Sequence, residues 1–174
     1  MRFELRLRCT PVSHTEGVRE KRYRYENALT TSILEEIMNA KLWALKKSPW
    51  VFHVCSASCN NCDIEILDAL TPKYDLERFG ILLVGSPRHA DALLVTGILN
   101  RKAKERVLRV YEQTAKPCLV IGIGTCACDP NIFRNSYNLA GPYDKHLPVH
   151  VYVPGCPPKP EAIIMGVAKA LGQL

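Results

Sequence analysis

Eight cysteines stand out in this sequence of 174 residues. Cys59 and Cys62 form a C-x-x-C pair, whereas Cys126 and Cys156 are single cysteines much further along the chain. The first residues mix charged with apolar side chains, which predicts no secretory signal. Without a secretory signal the chain is expected in a reducing compartment, where a cluster of cysteines indicates metal ligation or redox chemistry in preference to disulfides. Four thiolates are a soft ligand set that suits an iron-sulfur cluster or a metal ion.

The spacing of the four cysteines favours an iron-sulfur cluster over zinc. Structural zinc sites usually combine two closely spaced ligand pairs, whereas one pair here is joined by two distant single cysteines. Gly122 and Gly124 precede Cys126, and the run Pro154-Gly155-Cys156-Pro157-Pro158 surrounds the last cysteine. We expect these glycines to form turns that let the backbone approach a bulky inorganic core. A redox dithiol and half of a zinc site remain alternative interpretations of the C-x-x-C pair.

Four other cysteines have weaker claims to this site. Cys118 begins a predicted buried strand and is interpreted, like Cys9, as structural. Cys55 and Cys128 lie close in sequence to the proposed ligands, and each is a candidate substitute for one of them.

Alternating strand-like and helix-like segments must position the cysteines. Short apolar runs typical of buried parallel strands occur at residues 50–54, 81–84, 92–96, 118–123 and 149–153. Helical patterns occur at about residues 63–70, 100–114 and 161–171, the last entered through Pro160. The alternation predicts a small doubly wound, flavodoxin-like α/β domain over residues 48–174. Its right-handed crossovers place the loops that follow the strands on one edge, where the four cysteines would meet.

Residues 1–47 are predicted to be an N-terminal extension that ends in an amphipathic helix over residues 32–47. Ser32 and Glu35 have capping-box spacing. We expect the helix to pack on its own domain, although Trp43 and Trp50 beside lysines also resemble an interfacial membrane anchor.

The net charge is +6, with its excess near the N-terminus. A basic segment suits nucleic acid, an anionic membrane, an acidic partner or an ordinary solvated face.

Composition and motifs exclude several classes of function. No run of about 18 apolar residues is present, so no spanning helix is expected. A hydrophobic content of 47% excludes a disordered chain. The phosphate-binding loop, the dinucleotide fingerprint and the nucleophile elbow are all missing from the sequence. We therefore expect neither a bound nucleotide nor a complete substrate-transforming site in this chain.

Four motifs resemble those of the family shared by the small subunits of nickel-iron hydrogenases and the B subunit of respiratory complex I. They are Cys59-Asn60-Asn61-Cys62-Asp63-Ile64-Glu65, Gly85-Ser86-Pro87-Arg88-His89-Ala90-Asp91, Gly122-Ile123-Gly124-Thr125-Cys126 and Pro154-Gly155-Cys156-Pro157-Pro158. The resemblance covers about residues 48–174. Complex I B subunits typically have adjacent cysteines at the first motif. The spaced pair is more similar to the short small subunit of energy-converting, membrane-bound hydrogenases and of their sulfur-reducing relatives.

The resemblance implies that Cys59, Cys62, Cys126 and Cys156 hold one 4Fe-4S cluster beside the active site of a large catalytic subunit. The chain would then be the electron-transfer subunit of a multisubunit oxidoreductase coupled to ion translocation. The implied partners are that large subunit, a ferredoxin-like cluster subunit and membrane subunits, without nucleic acid. They would hold the chain peripherally at the cytoplasmic face of the membrane. The terminal substrate, whether protons, quinone or sulfur, depends on the partner.

Charged residues near the motifs suggest further roles. Arg88 and His89 follow a predicted strand, and a cation at that edge would raise a cluster's potential. A surface salt bridge is the alternative interpretation, and it suits His89 better than Arg88. Glu65 suits a helix N-terminus, and the resemblance suggests a proton path there. The remaining acids and histidines are interpreted as helix-surface or structural: Asp63, Asp68, His53, His146 and His150. A zinc-stabilised nucleic-acid-binding module is the alternative from another class of function.

Overall fold

The computed structural model describes residues 39–40 and 43–172, which belong almost entirely to one compact unit, Lys41–Leu174. Its strands are β1 (Trp50–Ala57), β2 (Leu82–Leu83), β3 (Ala92–Gly97), β4 (Leu119–Ile123) and β5 (Val151–Val153). Its helices are α1 (Asn61–Ala69), α2 (Arg101–Gln113), α3 (Thr125–Cys128) and α4 (Pro160–Gly172). Strands and helices therefore alternate along the chain, as the apolar pattern predicts.

The five strands form one sheet in the order β2-β1-β3-β4-β5, and every pair is parallel. Its register aligns Val51 with Ala92, Ala92 with Leu119, and Ile121 with Val151. Because the strands are parallel, the loops after β1, β4 and β5 leave the sheet at the same edge. The predicted doubly wound α/β fold is confirmed.

Helices cover both faces of the sheet, and two apolar clusters form the core. On one face Leu94 and Ile121 pack with Ile66 of α1 and Ile163 of α4. Neighbouring strand residues point the other way and pack on the face that α2 covers, together with the buried ring of Tyr143. The central strands β3 and β4 are buried along their whole length. This explains why their sequences are apolar apart from Thr96 of β3.

The ends of the elements differ from the predictions. β1 continues to Ala57, three residues beyond the predicted end, because Cys55 and Ala57 pair with Thr96 and Gly97 of β3. The strand has an irregularity there, between Cys55 and Ala57. Gly122 lies inside β4 rather than in a turn, which corrects the prediction. A Cβ on Gly122 would lie 2.6 Å from the ring of Tyr152, so this glycine makes room for a neighbouring side chain.

The predicted N-terminal helix lies only partly within the described residues. Residues 39–40 and 43–47 are helical, whereas residues 1–38 and Cys9 among them lie outside the description. Leu45 is buried in the core, so this end of the helix packs on its own domain as predicted. Trp43 is exposed, with Lys47 Nζ 5.4 Å from its ring centroid. Among the described helices, none has the length and apolar character needed to cross a bilayer.

Candidate functional site

The first cysteine loop connects β1 to α1. Asn60 adopts a left-handed conformation with φ of 78°, which asparagine tolerates better than most residues. Its N–H donates to Ser58 Oγ over 2.9 Å. The turn leaves Cys59 exposed and places Cys62 in the first turn of α1, where it is buried.

The other two loops leave β4 and β5 side by side. Gly124 follows β4 with φ of +93°, and its N–H donates to Val153 O over 2.8 Å. The short helix α3 begins one residue later and carries the half-buried Cys126. Cys156 is exposed in the loop between β5 and α4. Neighbouring strands thus deliver two single cysteines to the same edge as the C-x-x-C pair.

Gly124 is the point at which the first loop meets the second. A Cβ atom on Gly124 would lie 2.7 Å from Cys62 Sγ, a distance that side chains do not tolerate. The same Cβ would lie 3.6 Å from the carbonyl oxygen of Gly155. The Cys62 thiol therefore occupies space beside Gly124 that any larger residue would fill.

The thiols are close enough to affect one another electrostatically. Burial raises the pKa of the Cys62 thiol to about 11, and the charges of Cys59, Cys126, Asp63 and Cys156 contribute to the increase. Burial likewise raises the pKa of Cys126, with additional contributions from Cys156 and Cys59. Thiolates held this close repel one another unless a cation compensates their charge.

The donor set consists of four cysteine thiols, a ligand type that suits an iron-sulfur cluster and also zinc. Within the described part of the chain, no group of three or more His, Cys, Asp or Glu side chains forms a site for one metal ion. Zinc requires its sulfur ligands about 2.3 Å from one centre. A cubane cluster binds each thiolate at a separate iron, so its ligands stand further apart. The four thiols supply one sulfur ligand for each iron of such a core.

Asp63 does not lie on the helix surface, contrary to prediction. Its side chain is 13% exposed and accepts hydrogen bonds from Thr96, His53 and Ser58. Burial alone would raise its pKa, but the hydrogen bonds from Thr96 and Ser58, together with His53, hold the pKa below its ordinary value. The group formed by Asp63, Thr96, His53 and Ser58 was not predicted from the sequence. Its signal in the sequence is a polar residue inside each of two largely apolar strands, His53 in β1 and Thr96 in β3.

Arg88 and Glu65, unlike Asp63, are not tied to the first cysteine loop by hydrogen bonds. Arg88 is exposed in a 3-10 turn, Pro87–His89, between β2 and β3. Glu65 is half-buried beyond the first turn of α1, where the helix dipole has less effect than it has at Asp63. Neither side chain makes a hydrogen bond or ion pair with another described residue.

The remaining cysteines have distinct surroundings. Cys128 is half-buried, and its thiol donates to Gly124 O over 3.3 Å. Burial raises the pKa of Cys128, and Cys126 adds to the increase. Cys118 is buried, as predicted, and lies immediately before β4, whereas Cys55 is exposed on β1.

Of the three histidines that were interpreted as structural, two have that role. His150 Nδ1 accepts from Val120 N–H over 3.0 Å, and His146 Nε2 lies 3.2 Å from Ala140 O. His53 differs because it contacts Asp63 beside the first cysteine loop.

Known proteins share the sequence of this site region. The family model described as NADH ubiquinone oxidoreductase, 20 Kd subunit, matches residues 59–170, which include all four cysteines. The probable membrane-bound hydrogenase subunit mbhJ of Pyrococcus furiosus is 59% identical over 128 residues, covering 74% of this chain and 77% of that protein. An NADH-quinone oxidoreductase subunit of Citrifermentans bemidjiense is 40% identical over 144 residues, covering 83% and 80% of the two chains.

The fold has a similar counterpart among solved structures. A chain in the structure of the membrane-bound sulfane sulfur reductase, an archaeal respiratory membrane complex, superposes with a TM-score of 0.68 at 38% identity. The match covers 77% of this chain and 74% of that one. The relatives share both the sequence and the fold, and the chain therefore belongs to the family of the NADH ubiquinone oxidoreductase 20 Kd subunit.

Proposed function

We propose that this chain is the electron-transfer subunit of a multisubunit, membrane-associated oxidoreductase, with one 4Fe-4S cluster bound by Cys59, Cys62, Cys126 and Cys156. The observation that carries the proposal is the meeting of three cysteine loops: Cys62 Sγ occupies the space beside Gly124, and Thr125 N–H donates to Gly155 O over 2.8 Å. When bound, such a cluster supplies reversible one-electron transfer. Membership of an oxidoreductase subunit family supports this role.

The chain's own residues would hold the cluster and limit its exposure. Cys62, which is buried beside Gly124, forms the inner side of the site. Cys59 and Cys156 are exposed and form its outer side. A partner that covers these two cysteines would exclude water, which affects the potential of an iron-sulfur cluster.

Exposed apolar side chains near the ligand loops suit a partner subunit. Ile64 and Leu67 of α1 are 52% and 58% exposed. Ile132 and Tyr137, which follow α3, are 83% and 87% exposed. Large exposed apolar side chains in a group commonly mark interaction surfaces. We propose that a large catalytic subunit covers them, and that a ferredoxin-like cluster subunit and membrane subunits complete the assembly.

A nickel-iron hydrogenase-type complex is the first candidate for that assembly. The hydrogenase subunit relative is 59% identical, against 40% for the quinone oxidoreductase relative and 38% for the sulfane sulfur reductase chain. The same role in a quinone- or sulfur-reducing complex is the second candidate. The sequence of the partner decides between them, because a hydrogenase large subunit carries four cysteines in its nickel-binding motifs.

We place the chain peripherally at the cytoplasmic face of the membrane, in a complex coupled to ion translocation. Relatives are named as parts of membrane-bound complexes. Fractionation of native membranes tests this location: the chain should sediment with them and be released only when the complex is solubilised.

Arg88 and Glu65 remain proposals that rest on the motif resemblance. An exposed guanidinium near a cluster would raise its potential, so Arg88→Gln should lower the potential. Glu65 is proposed to contribute to a proton path toward the partner. For Glu65→Gln, turnover in the assembled complex should fall while iron and sulfide content stays unchanged.

The cluster is tested on the full chain purified without oxygen. The wild type should be brown, contain iron and acid-labile sulfide in equal amounts, and give an electron paramagnetic resonance signal after dithionite reduction. Cys126→Ser or Cys156→Ser should abolish or strongly alter the signal, whereas the buried control Cys118→Ser should retain it. A colourless protein that contains zinc without sulfide would instead support the zinc-stabilised nucleic-acid-binding module, which the family relationship does not favour.

A further inference from the structure

The carboxylate of Asp63 directly follows Cys62 and is held by three side chains. Its Oδ1 atom accepts from Thr96 Oγ1 over 2.5 Å and lies 2.8 Å from His53 Nε2. Its Oδ2 atom accepts from Ser58 Oγ over 2.9 Å. The partners come from β3, from β1 and from the first cysteine loop. Three separate segments therefore fix the position of one negative charge.

An ionised carboxylate accounts for all three contacts, because it accepts a hydrogen bond at each of them. An ionised Asp has no proton to donate, so His53 must carry its proton on Nε2. The hydroxyl groups of Thr96 and Ser58 supply the other donors. The charge is largely shielded from solvent, since only 13% of the Asp63 side chain is exposed. Solvent and salt screen such a charge less than they screen a surface carboxylate.

From this geometry we propose that Asp63 is a positioning residue whose fixed negative charge lowers the reduction potential of the adjacent cluster. The inference rests on the proposed function. Reduction adds one electron, and therefore one negative charge, to the cluster without forming or breaking a covalent bond. A nearby negative charge opposes that addition. Thr96, His53 and Ser58 determine where the opposing charge lies.

The test is a redox titration of the full chain, reconstituted anaerobically with iron and sulfide and followed by electron paramagnetic resonance at one fixed pH. Asp63→Asn keeps the side-chain shape and removes the charge. At the potential that half-reduces the wild type, we expect the ratio of reduced to oxidised cluster in Asp63→Asn to be on the order of tenfold higher. This corresponds to a reduction potential raised by about 59 mV for one electron. Asp63→Glu, which retains a carboxylate, should restore a potential close to the wild type.

Asp68→Asn is the matched control because it removes the same charge from the same helix. Asp68 is six residues beyond Cys62, about 9 Å along the helix axis, and should change the ratio much less. Equal potentials in wild type and Asp63→Asn, or equal shifts in the two Asn variants, would overturn the inference while leaving the cluster assignment intact.

The iron content of each reconstituted variant separates the remaining outcomes. If neither Asp63→Asn nor Asp63→Ser binds iron while Asp63→Glu does, the carboxylate serves assembly instead and the inference is wrong. If the wild type itself binds no cluster, the proposed function fails and the inference fails with it.

Discussion

Thr125 and Gly155 exchange two hydrogen bonds between the loops that carry Cys126 and Cys156. Thr125 N–H donates to Gly155 O over 2.8 Å, and Gly155 N–H donates to Thr125 Oγ1 over 3.2 Å. Each residue immediately precedes a cysteine. The pair therefore sets the separation of two proposed ligands through the protein alone.

Replacing Thr125 by Val should destabilise this pair of loops. The substitution keeps the shape of the side chain but leaves Gly155 N–H without its acceptor. We expect the free energy of unfolding to fall by about 1 kcal/mol, measured by urea denaturation under reducing conditions. Thr125→Ser keeps the hydroxyl and should unfold within about 0.5 kcal/mol of the wild type. Equal losses in both variants would show that the methyl group, not the hydrogen bond, is responsible.

Gly124→Ala should impair both folding and iron binding. The φ of +93° is unfavourable for alanine, and the new Cβ would lie 2.7 Å from Cys62 Sγ. We expect a loss of stability above about 1 kcal/mol and a lower iron content in the reconstituted full chain. The matched control is Gly85→Ala, since a Cβ there meets nothing within 4 Å. Normal iron content in Gly124→Ala would contradict the proposed closeness of the first two loops to the cluster.

Cys128→Ser should retain the spectrum of the reduced cluster, whereas Cys126→Ser should lose or alter it. The Cys128 thiol already donates to Gly124 O over 3.3 Å, and a serine hydroxyl can make the same bond. Electron paramagnetic resonance of the two reduced variants provides the measurement. Loss of the signal in Cys128→Ser together with an unchanged Cys126→Ser spectrum would make Cys128 the third ligand.

Asn100→Ala should lower stability without affecting the cysteine site. The Asn100 side chain caps α2 by accepting from Ala103 N–H over 2.6 Å. Removing an N-cap of this kind costs about 1 kcal/mol, while Asp is an equivalent cap. Thermal or urea denaturation should therefore rank Asn100→Asp near the wild type and Asn100→Ala below it. Both variants should bind the same amount of iron, and a difference would show that α2 influences the site.

Much of the fold could be predicted because the central strands are buried on both faces. The segments at β3 and β4 are apolar apart from Thr96, and their predicted positions differ from the observed ones by one residue at most. The edge strands β2 and β5 are shorter than their apolar runs, because pairing with a single neighbour ends before the hydrophobic pattern does. The end of β1 was missed since Cys55 and Ser56 resemble a loop.

The four proposed cysteine ligands are predicted from the sequence, whereas the groups that position them are not. Spacing identifies four thiols because sulfur ligation depends on residue type. The contact of Asp63 with Thr96 joins residues 33 positions apart and depends on how α1 packs over β3. The bond from Gly155 to Thr125 likewise spans 30 positions. Such pairings arise from tertiary packing, which local patterns do not specify.

The placement of the cysteines after β1, β4 and β5 imposes an order on biosynthesis. The edge strand β5 is the last to be made, and ninety-seven positions separate Cys59 from Cys156. At ordinary elongation rates, the ribosome needs about 5 to 20 seconds to pass from the first to the last. If the four cysteines bind one cofactor, as proposed, its insertion as a preformed unit has to wait until translation of the domain is almost finished. Until then, a nascent chain offers it at most three of the proposed sulfur ligands.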